Sequence, residues 1–129
     1  MIIAAAAVLA LLAALLHAYI WYLESFVWTT RARSVFGTSA EEALATKEMA
    51  FNQGYYNLFL GIIAAAGAVC VLLGRPEVGL ALIGAGTGSM LAASLVLALG
   101  SPDKRGAAAK QGILPALTLI TLLVAGLWG

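Results

Sequence analysis

Four stretches of this chain are apolar almost without interruption: about 2–28, 49–73, 78–100 and 107–128. A helix needs roughly 18–20 apolar residues to cross bilayer hydrocarbon, and three of these stretches meet that length while the fourth comes close. The pattern predicts an all-α integral membrane four-helix bundle, with residues 1–129 forming a single transmembrane domain. The first run, from Ile2 to Trp28, has no basic residues before it and is too long for a signal-peptide core, so it reads as a retained membrane helix.

The polar segments between the runs are unequal. The first loop, 29–48, is the long one. In it Gly37-Thr38-Ser39 ends an irregular piece, and Ser39 with Glu42 three residues later forms a capping box. A helix is therefore expected to begin near Ala40 and continue into the second span, with Glu41, Glu42, Lys47 and Glu48 still in water. The second loop, GRPE (74–77), is a tight turn, and the third, GSPDKRG (100–106), a short polar one.

Composition agrees with the pattern. The chain is 63% hydrophobic and 10% charged, against about 25% charged in soluble domains. Basic residues then set an orientation. Arg31, Arg33 and Lys47 belong to the first loop, and Lys104, Arg105 and Lys110 to the third loop and the foot of span four, whereas the second loop holds Arg75 alone. The positive-inside rule places loops one and three in the cytoplasm and both termini outside. The net charge of +1 and the lack of a basic aromatic patch give no reason to expect a nucleic-acid partner. Cys70 is the sole cysteine and His17 the sole histidine, so neither a disulfide nor a structural metal site is expected. No cofactor is implied.

Span three is rich in small residues, and Gly84 and Gly88 stand in a GxxxG relation. Such a pair favours close helix packing in lipid, either inside the bundle or between two copies in a homodimer.

The chemistry-bearing side chains gather elsewhere. HAYIWYLESFVW places His17, Trp21, Glu24 and Trp28 at spacings of 4, 3 and 4, which puts them on one helical stripe. Measured from Trp28, Glu24 lies about 6 Å deep and His17 about 16 Å deep. Span two enters from the same side with NQGYYN, so Asn52 lies about 4–5 Å deep and Asn57 about 12 Å deep. Together Asn52, Gln53, Tyr56 and Asn57 cover an arc of about 140°. Span four begins KQGILPAL, bringing Gln111 to the same level, and Pro115 leaves the Gln111 carbonyl without a helical N–H. Three helices thus bring a carboxyl, an imidazole, four carboxamides and a phenol to one depth range. The expectation is a polar cavity in the cytoplasmic half of the membrane, closed outward by Ala, Leu, Ile, Val and Gly.

Each member has a plainer reading. Glu24 can snorkel to the interface, and His17 can satisfy one hydrogen bond between helices. Against that, an ionisable group inside a span is a functional candidate by default. Glu24 and His17 are the candidate acid–base residues. Asn52, Gln53, Asn57 and Gln111 serve equally well as helix–helix glue or as ligand contacts. Tyr56, sharing a stripe with Asn52, is expected to turn its hydroxyl inward, Trp21 to wall the cavity, and Tyr55 to face lipid.

In HAYIWYLESFVW, FNQGYYNLFLG and KQGILPAL, in this order and at these separations, the chain resembles a bacterial family of small four-helix membrane proteins known as domain of unknown function 1304. The likeness covers nearly the whole chain, and its most specific part is the NQG-x-YN string. The chain departs from the family's usual pattern at Tyr55, where an apolar residue is common, and at Leu58, where a small one is. The resemblance implies four spans in a bacterial cytoplasmic (inner) membrane and the shared polar set. It implies no activity.

Two functions compete on these grounds. One is a membrane-embedded binder of a lipophilic small molecule or lipid, performing non-redox acid–base chemistry such as isomerisation, hydration or ring opening. The other is a proton-coupled exporter of a hydrophobic compound; the outer half offers it no polar path, and no repeat or broken helix at the midplane supports it. A structural membrane subunit is the third possibility.

Overall fold

The structure is a computed structural model and describes residues 1–128. Its long helices are α1 (Ile2–Phe26), α3 (Ala40–Leu72), α4 (Pro76–Gly100) and α5 (Arg105–Trp128), and a short α2 (Ala32–Phe36) lies in the first loop. A 3-10 turn, Pro102–Lys104, leads into α5. Among the described residues there is no strand. Four helices are long and apolar enough to cross a membrane, which makes this a multi-pass membrane bundle in architecture.

Local signals explain where the helices begin and end. Ser39 caps α3, its Oγ accepting the Glu42 N–H at 3.1 Å. Pro76 occupies the first turn of α4, where its missing N–H costs nothing. The first loop, expected to be irregular before Gly37, instead forms α2. Gly37 ends it with φ 68°, a left-handed conformation that lets its N–H reach the Arg33 carbonyl. At 33 residues, α3 is about 50 Å long, so its first turns extend beyond a bilayer core of about 30 Å.

Around the bundle, α1 packs on α3 and α5, and α4 closes the ring between α3 and α5. Small residues set the spacing. Toward the α3–α4 turn, a Cβ placed on Gly67 would lie 2.7 Å from the Gly79 carbonyl, and one on Gly79 would lie 2.6 Å from the Gly67 carbonyl. Ala7, Ala10, Ala68 and Ile83 fill the space beside this crossing, and Ala13, Ala64 and Met90 continue it toward mid-bundle. Close approach of this kind replaces the hydrophobic force that lipid cannot supply. Four hydroxyls of α4 and α5 are satisfied within their own helices: Thr87, Ser89, Thr118 and Thr121 each donate to the carbonyl four residues back, at 2.7–2.8 Å.

The GxxxG pair is not the crossing inside the bundle. A Cβ on Gly88 would meet nothing within 4 Å, and one on Gly84 would meet only Leu122 Cδ1, at 3.9 Å. Helix α4 uses Gly79 and Gly86 against α3 instead, the latter 3.0 Å from the Ala64 nitrogen by the same measure.

Candidate functional site

At the α2 end, where loops one and three lie, the packing changes character. Ala50, Gly54, Gly61, Ala64 and Ala68 form the buried stripe of α3, and Asn57 falls in it between Gly54 and Gly61. Asn57 is thus the carboxamide that the small-residue stripe turns inward. Its Nδ2 donates to Glu24 Oε2 at 2.7 Å and lies 3.2 Å from the Gln53 carbonyl. Glu24 is only 6% exposed.

Gly54 answers for the glycine inside NQGYYN. A Cβ there would collide with Ser25 Oγ and come within 3.1 Å of both Glu24 Cβ and the Trp21 carbonyl. Without a side chain at Gly54, α1 and α3 approach closely enough for Ser25 Oγ to donate to the Phe51 carbonyl at 2.9 Å. The same approach brings Glu24 within reach of Asn57.

Beside this pair lies a cavity of about 230 Å³. Glu24, Asn57, Gln53 and Gln111 supply polar groups to it, and Phe36 and Leu97 are among its apolar walls. Its rim is tied together. Trp28 Nε1 donates to Thr46 Oγ1 at 3.0 Å, and Thr46 Oγ1 donates to the Glu42 carbonyl at 2.7 Å. Lys104, from the 3-10 turn, sits 3.4 Å from Glu42 Oε1 and 3.6 Å from Asp103 Oδ2. The volume falls below the roughly 300–1,000 Å³ of sites for drug-sized molecules, so it suits a head group or a small molecule.

The residues singled out from sequence do not all meet here. Glu24, Asn57, Gln53 and Gln111 line one cavity. His17 does not line it. It is 2% exposed, packs toward Gly61, and its Nδ1 donates to the Ala13 carbonyl of its own helix at 2.9 Å. The expected acid–base pair is therefore divided between a cavity and a helix core.

Asn52 and Tyr56 do not turn inward. Asn52 is exposed beside Lys47 and Glu48 on a shallow outer groove, and Tyr56 is 70% exposed. The reason is helical phase: at about 100° per residue, Asn52 lies about 140° and Tyr56 about 100° from Asn57. Tyr55, expected to face lipid, is half-buried with its ring 5.7 Å from that of Trp21, edge-on. Trp21 belongs to this aromatic group with Phe26 rather than to the cavity wall, and its buried Nε1 has no hydrogen-bond acceptor.

Lys104, Thr46, Phe36 and the rim role of Trp28 were not singled out from sequence. The extension of α3 past the bilayer, signalled by the Ser39 capping box, pointed to Thr46. Nothing in SPDK reveals that Lys104 folds back over α3. Among the described residues no three His, Cys, Asp or Glu side chains gather as a metal set.

A buried carboxyl hydrogen-bonded to an inward carboxamide, beside a small cavity at one end of a helical bundle, defines a class: a multi-pass helical protein with a polar pocket at one end. The chain belongs to the family described as Protein of unknown function (DUF1304), whose model matches residues 11–123. No curated protein and no solved structure matches it.

Proposed function

We propose that this protein holds a lipophilic small molecule at the α2 end of the bundle, with Glu24 as the group that binds its polar part and exchanges a proton with it. The observation that carries the reading is the placement of Glu24: buried, lining a cavity, and held by Asn57 alone among the hydrogen bonds it makes. A carboxylate has about four acceptor positions, so one donor leaves it capacity for a ligand. Packing alone gives no reason to keep such a group in a span, where it is costly. Gln53 and Gln111 supply further donors and acceptors, and Asn57 orients the carboxyl. Acid–base chemistry on the ligand falls to Glu24 alone, because His17 lies outside the cavity.

The distribution of basic residues supports placing the α2 end in the cytoplasm, with loops one and three inside and both termini outside. For the membrane itself, the bacterial cytoplasmic membrane is proposed on the strength of the family resemblance alone. Against an export path stands the Gly67–Gly79 crossing, which brings α3 and α4 into backbone contact at the far end.

Purified protein, extracted and analysed by mass spectrometry, tests this. Wild type is expected to carry a lipophilic compound that Glu24→Gln and Asn57→Leu lose while remaining folded. Equal compound content in all three, with both variants more stable than wild type, would reduce Glu24 to a structural residue.

A further inference from the structure

The cavity beside Glu24 does not stand alone. A second, narrower cleft of about 90 Å³ lies between α1, α2 and α5, lined by Leu16, Ile20, Leu23, Val35 and Ala107. Its outer edge carries Tyr19 and Lys110, both exposed, so it opens at the bundle perimeter between α1 and α5. Phe36 and Gln111 line both spaces. An aromatic ring from α2 and a carboxamide from α5 are thus shared by a polar cavity and an apolar cleft that opens at the perimeter.

We propose, resting on the reading above, that the two spaces form one site for a single-chain amphiphile with an amine head. Its ammonium sits on Glu24, and its chain runs past Phe36 and Gln111 through the α1–α5 cleft into the leaflet at the α2 end. Three observations select this occupant. The cleft is small, about 90 Å³, and lined mostly by apolar side chains, which suits a slender unbranched chain. The cavity is lined by two carboxyls, Glu24 and Glu42, against one ammonium, Lys104, and Lys104 lies against Glu42. Glu24 takes part in neither of the ion pairs, so it is the acid without a counter-charge. A buried carboxylate without a cation is unfavourable, and a ligand ammonium, with three N–H donors, supplies one while also reaching carboxamide oxygens of Gln53 or Gln111.

The experiment uses the protein in lipid nanodiscs, measuring retention of dodecylamine, dodecanol, dodecanoate and butylamine above empty nanodiscs. Dodecylamine is expected to bind at least tenfold tighter than dodecanol or dodecanoate, and Glu24→Gln to erase that preference. Narrowing the cleft by Val35→Phe, with Ala107→Phe as a second variant, is expected to weaken dodecylamine at least tenfold and leave butylamine unchanged. Size-exclusion profiles and circular dichroism check that each variant is folded. Dodecylamine binding no tighter than dodecanol overturns the amine head. Dodecylamine binding unchanged in both folded cleft variants overturns the chain path. If Glu24→Gln weakens all three long-chain probes equally, the amine proposal falls while Glu24 remains the binding group.

Discussion

Helices α3 and α4 meet in two different ways along their length. At the Gly67–Gly79 crossing their backbones touch, and a single methyl on either glycine has nowhere to go. At the other end the facing positions are Gln53 and Asn57 on α3 and Ala93 and Leu97 on α4, and a cavity of about 230 Å³ stands among them. Side-chain size makes the difference. Glycine lets helices approach until dispersion between backbones holds them. Carboxamides, a carboxyl and a lysine keep the walls apart and demand hydrogen bonds in return. One end of the bundle is a clasp, and the other has room for chemistry.

The contrast can be broken most forcefully at the clasp. Gly67→Ala is expected to destabilise by about 3 kcal/mol, the upper end for overpacking, because the obstacles are the Gly79 carbonyl and the Ile83 nitrogen, which are backbone. Thermal or denaturant unfolding in micelles measures it, and a loss under about 1 kcal/mol would mean that the helices part easily.

Gly54→Ala tests the close approach at the open end and should cost less, about 1–2 kcal/mol. Its nearest obstacle, Ser25 Oγ, is a side chain that can rotate, although the Trp21 carbonyl at 3.1 Å cannot. Adding Ser25→Ala should recover part of that loss; no recovery would place the conflict at the backbone.

Trp28→Phe removes the indole donor to Thr46 while keeping an aromatic ring against Phe36, so about 1 kcal/mol is expected from the hydrogen bond. A neutral result would show that the rim is held by packing. The smallest effect belongs to Glu42→Ala. Its partner Lys104 is 17% exposed but Glu42 itself is 48% exposed, and pairs open to water contribute about 0–1 kcal/mol. This loss should shrink further in high salt, and insensitivity to salt would argue against an ion pair.

Much of this molecule was readable along the chain. Apolar runs of bilayer length identified the spans, Ser39 with Glu42 marked the start of α3, and the order of motifs brought Glu24, Asn57 and Gln111 into one depth range. Reading the rest required the phase of α3. The arc of about 140° spanned by Asn52, Gln53, Tyr56 and Asn57 does not all face inward; its inward edge is the one nearest Ala50, Gly54, Gly61 and Ala64. That small-residue stripe was a usable signal, and it would have excluded Tyr56 and Asn52. For His17 no such signal existed. It shares a stripe with Glu24, and its separation from the cavity depends on where Gly61 brings α3 against α1.

The sequence by itself determined the class of fold, because an uninterrupted apolar run must satisfy its backbone internally and lipid allows a single helix to do so. It also determined the level of each polar group along its own helix, since rise per residue is constant. Only the tertiary structure decided which groups share a space. That depends on how each helix is rotated and how closely it approaches its neighbours, set here by Gly54, Gly61, Gly67 and Gly79, whose missing side chains admit particular partners. Lys104 reaches the site for a similar reason: a turn after α4 carries it back over the first turn of α3, through contacts far apart in the chain.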